Sequence, residues 1–144
     1  MERAIRSSKE LVTSEDLPVS AEGVWSYIGD FGGLARWHPR VRACRVEGSG
    51  IGALRIVSLD GWSATERLTA FDPASFTLSY ELIACERPLM IGVMGTMRLQ
   101  PLGDDCCRIV WSSQLPPDAS AELEPLLRAY YPERIGHLRA ALPG

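Results

Sequence analysis

The chain has 144 residues, 46% of them apolar and 23% charged, with a net charge of −3. That is enough chain to bury the core of one domain, taken as residues 1–144, and too little for two. Both signs of charge are scattered, so the concentrated basic surface that a nucleic-acid partner or an anionic membrane needs is absent, and no stretch reaches the ~20 apolar residues of a membrane span.

The start, MERAIRSSKELVTSEDLP, has no apolar leader core, and a cytoplasmic protein is expected. Residues Ala4–Val12 read as a weak first strand. In LPVSAEGVWSYIGDFGGLARWHPRV, Ser20 is a helix N-cap with Glu22 in the first turn, and Val24, Trp25 and Ile28 form an apolar stripe before GDFGG stops the helix. A second short helical turn is expected over Gly33–Trp37, ended where Pro39 biases His38 towards extended backbone.

From Val41 to Leu115 turn chemistry recurs in GSGIG, LDGW, FDPAS and PLGDD, which predicts about six antiparallel strands. Gly48, Gly50 and Gly52 lack the Lys-Ser/Thr pair of a phosphate loop and read as a strand connection. After QLPPDAS, Leu123, Leu126, Leu127, Tyr130, Ile135, Leu138 and Leu142 recur at helical spacing, with Pro132 inside the helix as a place for a kink. The order is a strand, two short helices, six strands and a long helix. It implies an α+β fold whose curved seven-stranded antiparallel sheet wraps the C-terminal helix.

Cys44, Cys85, Cys106 and Cys107 form no Cys-x-x-Cys pair and read as reduced thiols. The two histidines, His38 and His137, belong to no ligand motif, so neither a metal nor another cofactor is expected.

The segment LRIVSLDGWSATERL carries the sharpest chemical signal. Asp-Gly between alternating runs is a two-residue hairpin turn, and placing it at Asp60 and Gly61 sets Leu59 opposite Trp62, Val57 opposite Ala64 and Arg55 opposite Glu66. Glu66 shares its face with Trp62, Ala64, Leu68 and Ala70, the apolar side, so the charged pair is predicted to point inward. Two readings are open. The pair is a structural ion pair, or it lies in a cavity where desolvation and the neighbouring charge tune a carboxylate for acid-base work.

These segments, with GALR, DGWSATERLTAFD and FTLSYEL, resemble the polyketide cyclase/dehydratase branch of the START-like (SRPBCC) superfamily, related to the birch-pollen-allergen fold. The resemblance runs from about Leu17 to the final helix and implies a helix-grip fold with an internal ligand cavity. A narrower likeness, in VWSYIGDF, GALR and ERLTAFD, is to the lachrymatory factor synthases, and it implies Arg55 and Glu66 as a catalytic pair. The tyrosine those enzymes carry in a later strand has no counterpart in IGVMGTMRL, where Val93 takes its place, which implies the same acid-base pair adapted to another substrate.

Trp37 and His38 are expected at the cavity rim, where His38 is a candidate acid-base group or a packing residue. Tyr80 shares a strand face with Phe76, Leu78 and Leu82, and is a candidate to hydrogen-bond a substrate oxygen or a core tyrosine. Trp111 shares one with Cys107, Ile109 and Ser113, while Met90 and Met94 are expected along the next wall; all of these are core or binding residues. The function this points to is a cofactor-independent cyclase/dehydratase or isomerase, taking a hydrophobic, polyketide-like or aromatic substrate between the long helix and the sheet. The alternative is a carrier or sensor that binds such a ligand without chemistry. Either would work as a monomer or homodimer.

Overall fold

The computed structural model describes residues 9–143. The first strand, β1, is Glu10–Leu17, later than expected; residues 4–8 of the predicted strand lie outside the described residues. Its inner face carries Leu11 and Leu17, both buried, and the polar residues between them disguise the alternation. Helix α1 (Ala21–Ile28) follows. Ser20 caps it by accepting the N–H of Gly23, and Val24 and Ile28 are buried while Trp25 is half-buried. The second helical turn is a single 3-10 turn at Leu34–Arg36.

Six strands then run in succession: β2 (Ala43–Glu47), β3 (Leu54–Leu59), β4 (Trp62–Asp72), β5 (Thr77–Cys85), β6 (Met94–Pro101) and β7 (Cys107–Gln114). All pair antiparallel, and β1 closes on β7, giving the order β1-β7-β6-β5-β4-β3-β2. The long helix α2 (Leu123–Ala141) continues through Pro132 and buries Leu123, Leu127, Tyr131, Ile135 and Leu138 against the inner face. This is the helix-grip arrangement. No helix among the described residues is long and apolar enough to cross a membrane.

Two irregularities in the β4–β5 ladder shape the inner face. Glu66 pairs with Leu82 directly after Thr65 pairs with Ala84, so Ile83 is an extra residue on β5. Leu68 pairs with Tyr80, and then Ala70 with Ser79, so Thr69 is an extra residue on β4. Plain alternation puts Ala70 inside; the extra residue instead places it beside Ser79 and Thr96 in a groove on the outer face, while Phe71 packs on Trp25 at 5.6 Å between ring centres.

Candidate functional site

The Asp60-Gly61 turn sets the register read from sequence: Leu59 opposite Trp62, Val57 opposite Ala64 and Arg55 opposite Glu66. Gly61 takes φ +80°, the left-handed region that such a turn demands. Arg55 and Glu66 project into a cavity of about 80 Å³ between the sheet and α2, walled by Trp37, Val57, Leu82, Val93, Met97 and Trp111. That is about half the ~150 Å³ of an engineered cavity that takes benzene. A ligand larger than one small ring must therefore extend through the mouth or displace side chains.

Arg55 is 5% exposed and held on several sides. Its Nε donates to Glu66 Oε1 at 2.7 Å, Nη2 lies 2.7 Å from the same oxygen, and Nη1 donates to the carbonyl of Phe31 at 3.1 Å. The Phe31 ring lies 4.3 Å and the Tyr80 ring 5.4 Å from the guanidinium carbon. Of its five N–H donors, one on each terminal nitrogen has no partner among the described residues. Glu66 Oε2 likewise accepts no hydrogen bond there, so the carboxylate is fixed by one oxygen while the other is left over.

Tyr80 stands on β5 two residues from Leu82, the partner of Glu66, and faces the same cavity. Its oxygen accepts the indole N–H of Trp111 at 3.0 Å, which leaves its own O–H to donate. Burial raises the Tyr80 phenol well above its ordinary pKa, and it stays protonated. The ring has room because its partner on β6 is Gly95, where a Cβ would overlap the phenol. Trp111 continues the aromatic wall to Trp37 at 6.3 Å and to Tyr131 of α2 at 4.9 Å. Burial pushes the Tyr131 phenol up to about 12.

His38 is buried at the rim, its ring 5.9 Å from that of Trp37 and 5.8 Å from that of His137. Burial, and then the positive charge of Arg134, lower its pKa to about 3. The acid-base role near neutral pH considered from sequence therefore does not hold: His38 is a neutral wall residue whose Nδ1 accepts the backbone N–H of Arg40.

Met94 is the other correction. It is 44% exposed and faces away from the cavity, in the outer groove with Thr96. On β6 the inward positions are Gly95, Met97 and Leu99, so Met97 and Met90 supply the thioethers that line the cavity. Cys107 is buried in the core and its thiol pKa is raised by burial, the opposite of an activated nucleophile.

Sequence reasoning passed over Tyr131 and Arg134. Both fall on the buried stripe of α2 with Leu127 and Leu138, and an arginine on an apolar stripe is the signal that marks them. Arg134 lines both the cavity and an adjoining surface groove at its mouth.

Residues 9–143 match the protein family described as polyketide cyclase / dehydrase and lipid transport. No curated protein matches the sequence. Among solved structures, the chain is similar to an uncharacterised protein of Bacillus thuringiensis, at 23% identity and TM-score 0.81 over 92% of this chain and 98% of that one. It is similar to a protein of Thermobifida fusca at 26% identity and TM-score 0.76 over 90% of each chain. It is also similar to norcoclaurine synthase of Thalictrum flavum, solved with dopamine and hydroxybenzaldehyde, at 17% identity and TM-score 0.72 over 96% of this chain and 91% of that one.

Proposed function

The chain belongs to the polyketide cyclase / dehydrase and lipid transport family, and on that premise we propose that it is a cofactor-independent enzyme moving protons on a hydrophobic, polyketide-like or aromatic substrate. The observation that carries this is the arrangement of Glu66, clamped through Oε1 by a buried arginine with Oε2 left over, inside an apolar aromatic cavity. Oε2 is not closed off from solvent, so it is the oxygen open to whatever enters the cavity.

In the proposed reaction Glu66 takes a proton from a substrate carbon next to a carbonyl, and negative charge develops on the carbonyl oxygen. The uncommitted N–H groups of Arg55 are the donors available to that oxygen, with the O–H of Tyr80, which lies beside the Tyr131 hydroxyl, as a further one. Returning the proton to another carbon completes an isomerisation. Delivering it to a hydroxyl departing from the neighbouring carbon instead expels water and leaves a double bond, which completes a dehydration. In a cyclisation the enolate carbon first bonds to a second carbonyl carbon of the same molecule, the proton goes to the new alkoxide, and a second proton abstraction by Glu66 then expels that hydroxyl as water. These outcomes balance without an external electron acceptor.

The test is to incubate wild type and Glu66→Gln in parallel with extract of the source cells and compare bound molecules by native and denaturing mass spectrometry. The proposal expects the variant to retain a small apolar molecule that wild type converts. The same unaltered molecule from both proteins would make the protein a carrier, with Arg55 and Glu66 as its anchor.

A further inference from the structure

The under-neutralised guanidinium at the cavity mouth is Arg134. It is 3% exposed, and a buried guanidinium ordinarily has its donors satisfied. Here Nη1 reaches Glu133 Oε1 only at 3.3 Å, the cation sits 3.6 Å from the Tyr130 ring centre, and the buried Nε has no hydrogen-bond partner among the described residues. Glu133 does not belong to Arg134 alone. Its Oε2 accepts from Arg40 at 2.9 Å, so one carboxylate serves two guanidiniums. Arg55, deeper in the same cavity, has a carboxylate to itself.

The surroundings add to the imbalance. The groove at the mouth, about 190 Å³, is lined by Arg40, Arg87 and Arg134 with Asp60 and Glu133. Asp60 pairs with Arg42 at 2.6 Å, and Arg87 stacks on Trp62 at 4.4 Å. Three guanidiniums thus line the groove with two carboxylates, one of which, Asp60, is already paired to Arg42 outside it, on a chain whose net charge is −3. A concave site of this kind concentrates anions.

We propose that the ligand is an amphipathic carboxylic acid, whose apolar body enters the cavity beside Trp37 and Trp111 and whose carboxylate stops at Arg134. This rests on the reading of the cavity as a ligand site and names the class of molecule it takes. The planar guanidinium matches a carboxylate, and its Nη2, which forms no hydrogen bond among the described residues and is not closed off as Nε is, can donate to it. A neutral ligand can offer a carbonyl oxygen to that donor but brings no charge to balance the guanidinium. The acid also fixes orientation: with its charge held at the mouth, the far end of the molecule is the part presented to Glu66.

The test is isothermal titration of the full chain with naphthoic acid and with naphthamide, which share a ring system and differ in charge, using wild type, Arg134→Gln and Arg134→Lys. Wild type is expected to bind the acid about tenfold or more tightly than the amide, as a charge-assisted hydrogen bond gives. Arg134→Gln is expected to lose most of that preference and Arg134→Lys to regain part of it. Equal affinity of wild type for acid and amide overturns the proposal while leaving the cavity a ligand site. A preference that survives in folded Arg134→Gln overturns the assignment to Arg134. Binding of neither probe overturns the proposal together with the cavity reading.

Discussion

Arg55 grips Glu66 by one oxygen: Nε and Nη2 both lie 2.7 Å from Oε1, and Oε2 is left to the cavity. The clamp exists because the Asp60-Gly61 turn sets the two residues directly opposite each other on the inner face. It keeps the carboxylate in one orientation and leaves Oε2 open to the cavity.

Replacing Arg55 by Met removes the clamp, the bond to the Phe31 carbonyl and the stacking on Phe31 and Tyr80, and strands Glu66 in an apolar cavity. Breaking a buried pair from one side costs ~3–5 kcal/mol. Because the Glu66 side chain keeps 17% of its exposure, the lower end is expected, measured by urea unfolding. A loss under ~1 kcal/mol would mean that water screens the pair.

Gly95→Ala is predicted to push Tyr80 out of its place, since the added methyl group overlaps the phenol ring. Overpacking of this kind costs ~1–3 kcal/mol. The hydrogen bond from Trp111 to Tyr80 should break with it, and the tryptophan emission of the folded protein should change. Unchanged emission and stability would show that the ring relaxes without leaving its partner.

The two methionines of β6 separate the faces of the strand. Met97 is 3% exposed on the cavity side, so Met97→Ala is expected to destabilise by ~2–5 kcal/mol. Met94 is 44% exposed on the other side, and Met94→Ala should stay within ~0.5 kcal/mol of wild type. Comparable losses from the two would place Met94 inside after all.

The fold and the inward-facing pairing of Arg55 with Glu66 are legible in the sequence because local chemistry fixes them. Ser20 marks a helix start, and Asp60-Gly61 admits one turn and hence one register, which carries Arg55 and Glu66 to the same face. The β4–β5 irregularities were not legible: neither Ile83 nor Thr69 is a residue type that signals an insertion, yet Thr69 turns Ala70 to the outer face. Met94 shares its parity with Met90, so a phase carried across the turn at Gly92 points it inward, whereas counting back from Leu99 through Met97 reaches Gly95. Arg134 could be put on the buried stripe of α2 from spacing, but its place at the cavity mouth depends on how the helix lies across the sheet, which spacing does not contain.

His38 gives the protein a pH dependence of definite sign. Its pKa is about 3 in the folded chain against an ordinary 6.5, so between those values the unfolded chain holds a proton that the folded chain refuses. Stability is therefore expected to fall as pH drops from about 6.5 towards 3. Arg134, Arg40 and His137 disfavour the proton and Glu133 favours it. The lowered carboxyl pKa values of Glu124 and Glu133 act in the same direction at lower pH, so the measurement is the difference in urea midpoint between wild type and His38→Gln. The wild-type midpoint should fall relative to that of the variant as pH drops below 6.5; parallel profiles would show that His38 takes up its proton without unfolding.

The most direct measurement of the central claim is the turnover of Glu66→Gln on the molecule that wild type converts, with the melting transition recorded on the same samples. Glutamine keeps the oxygen that Arg55 grips and removes the proton-transferring group. Turnover should fall by ~10² to 10⁴ while the protein still melts cooperatively. Full turnover in a folded Glu66→Gln protein would contradict the account and remove Glu66 from the chemistry.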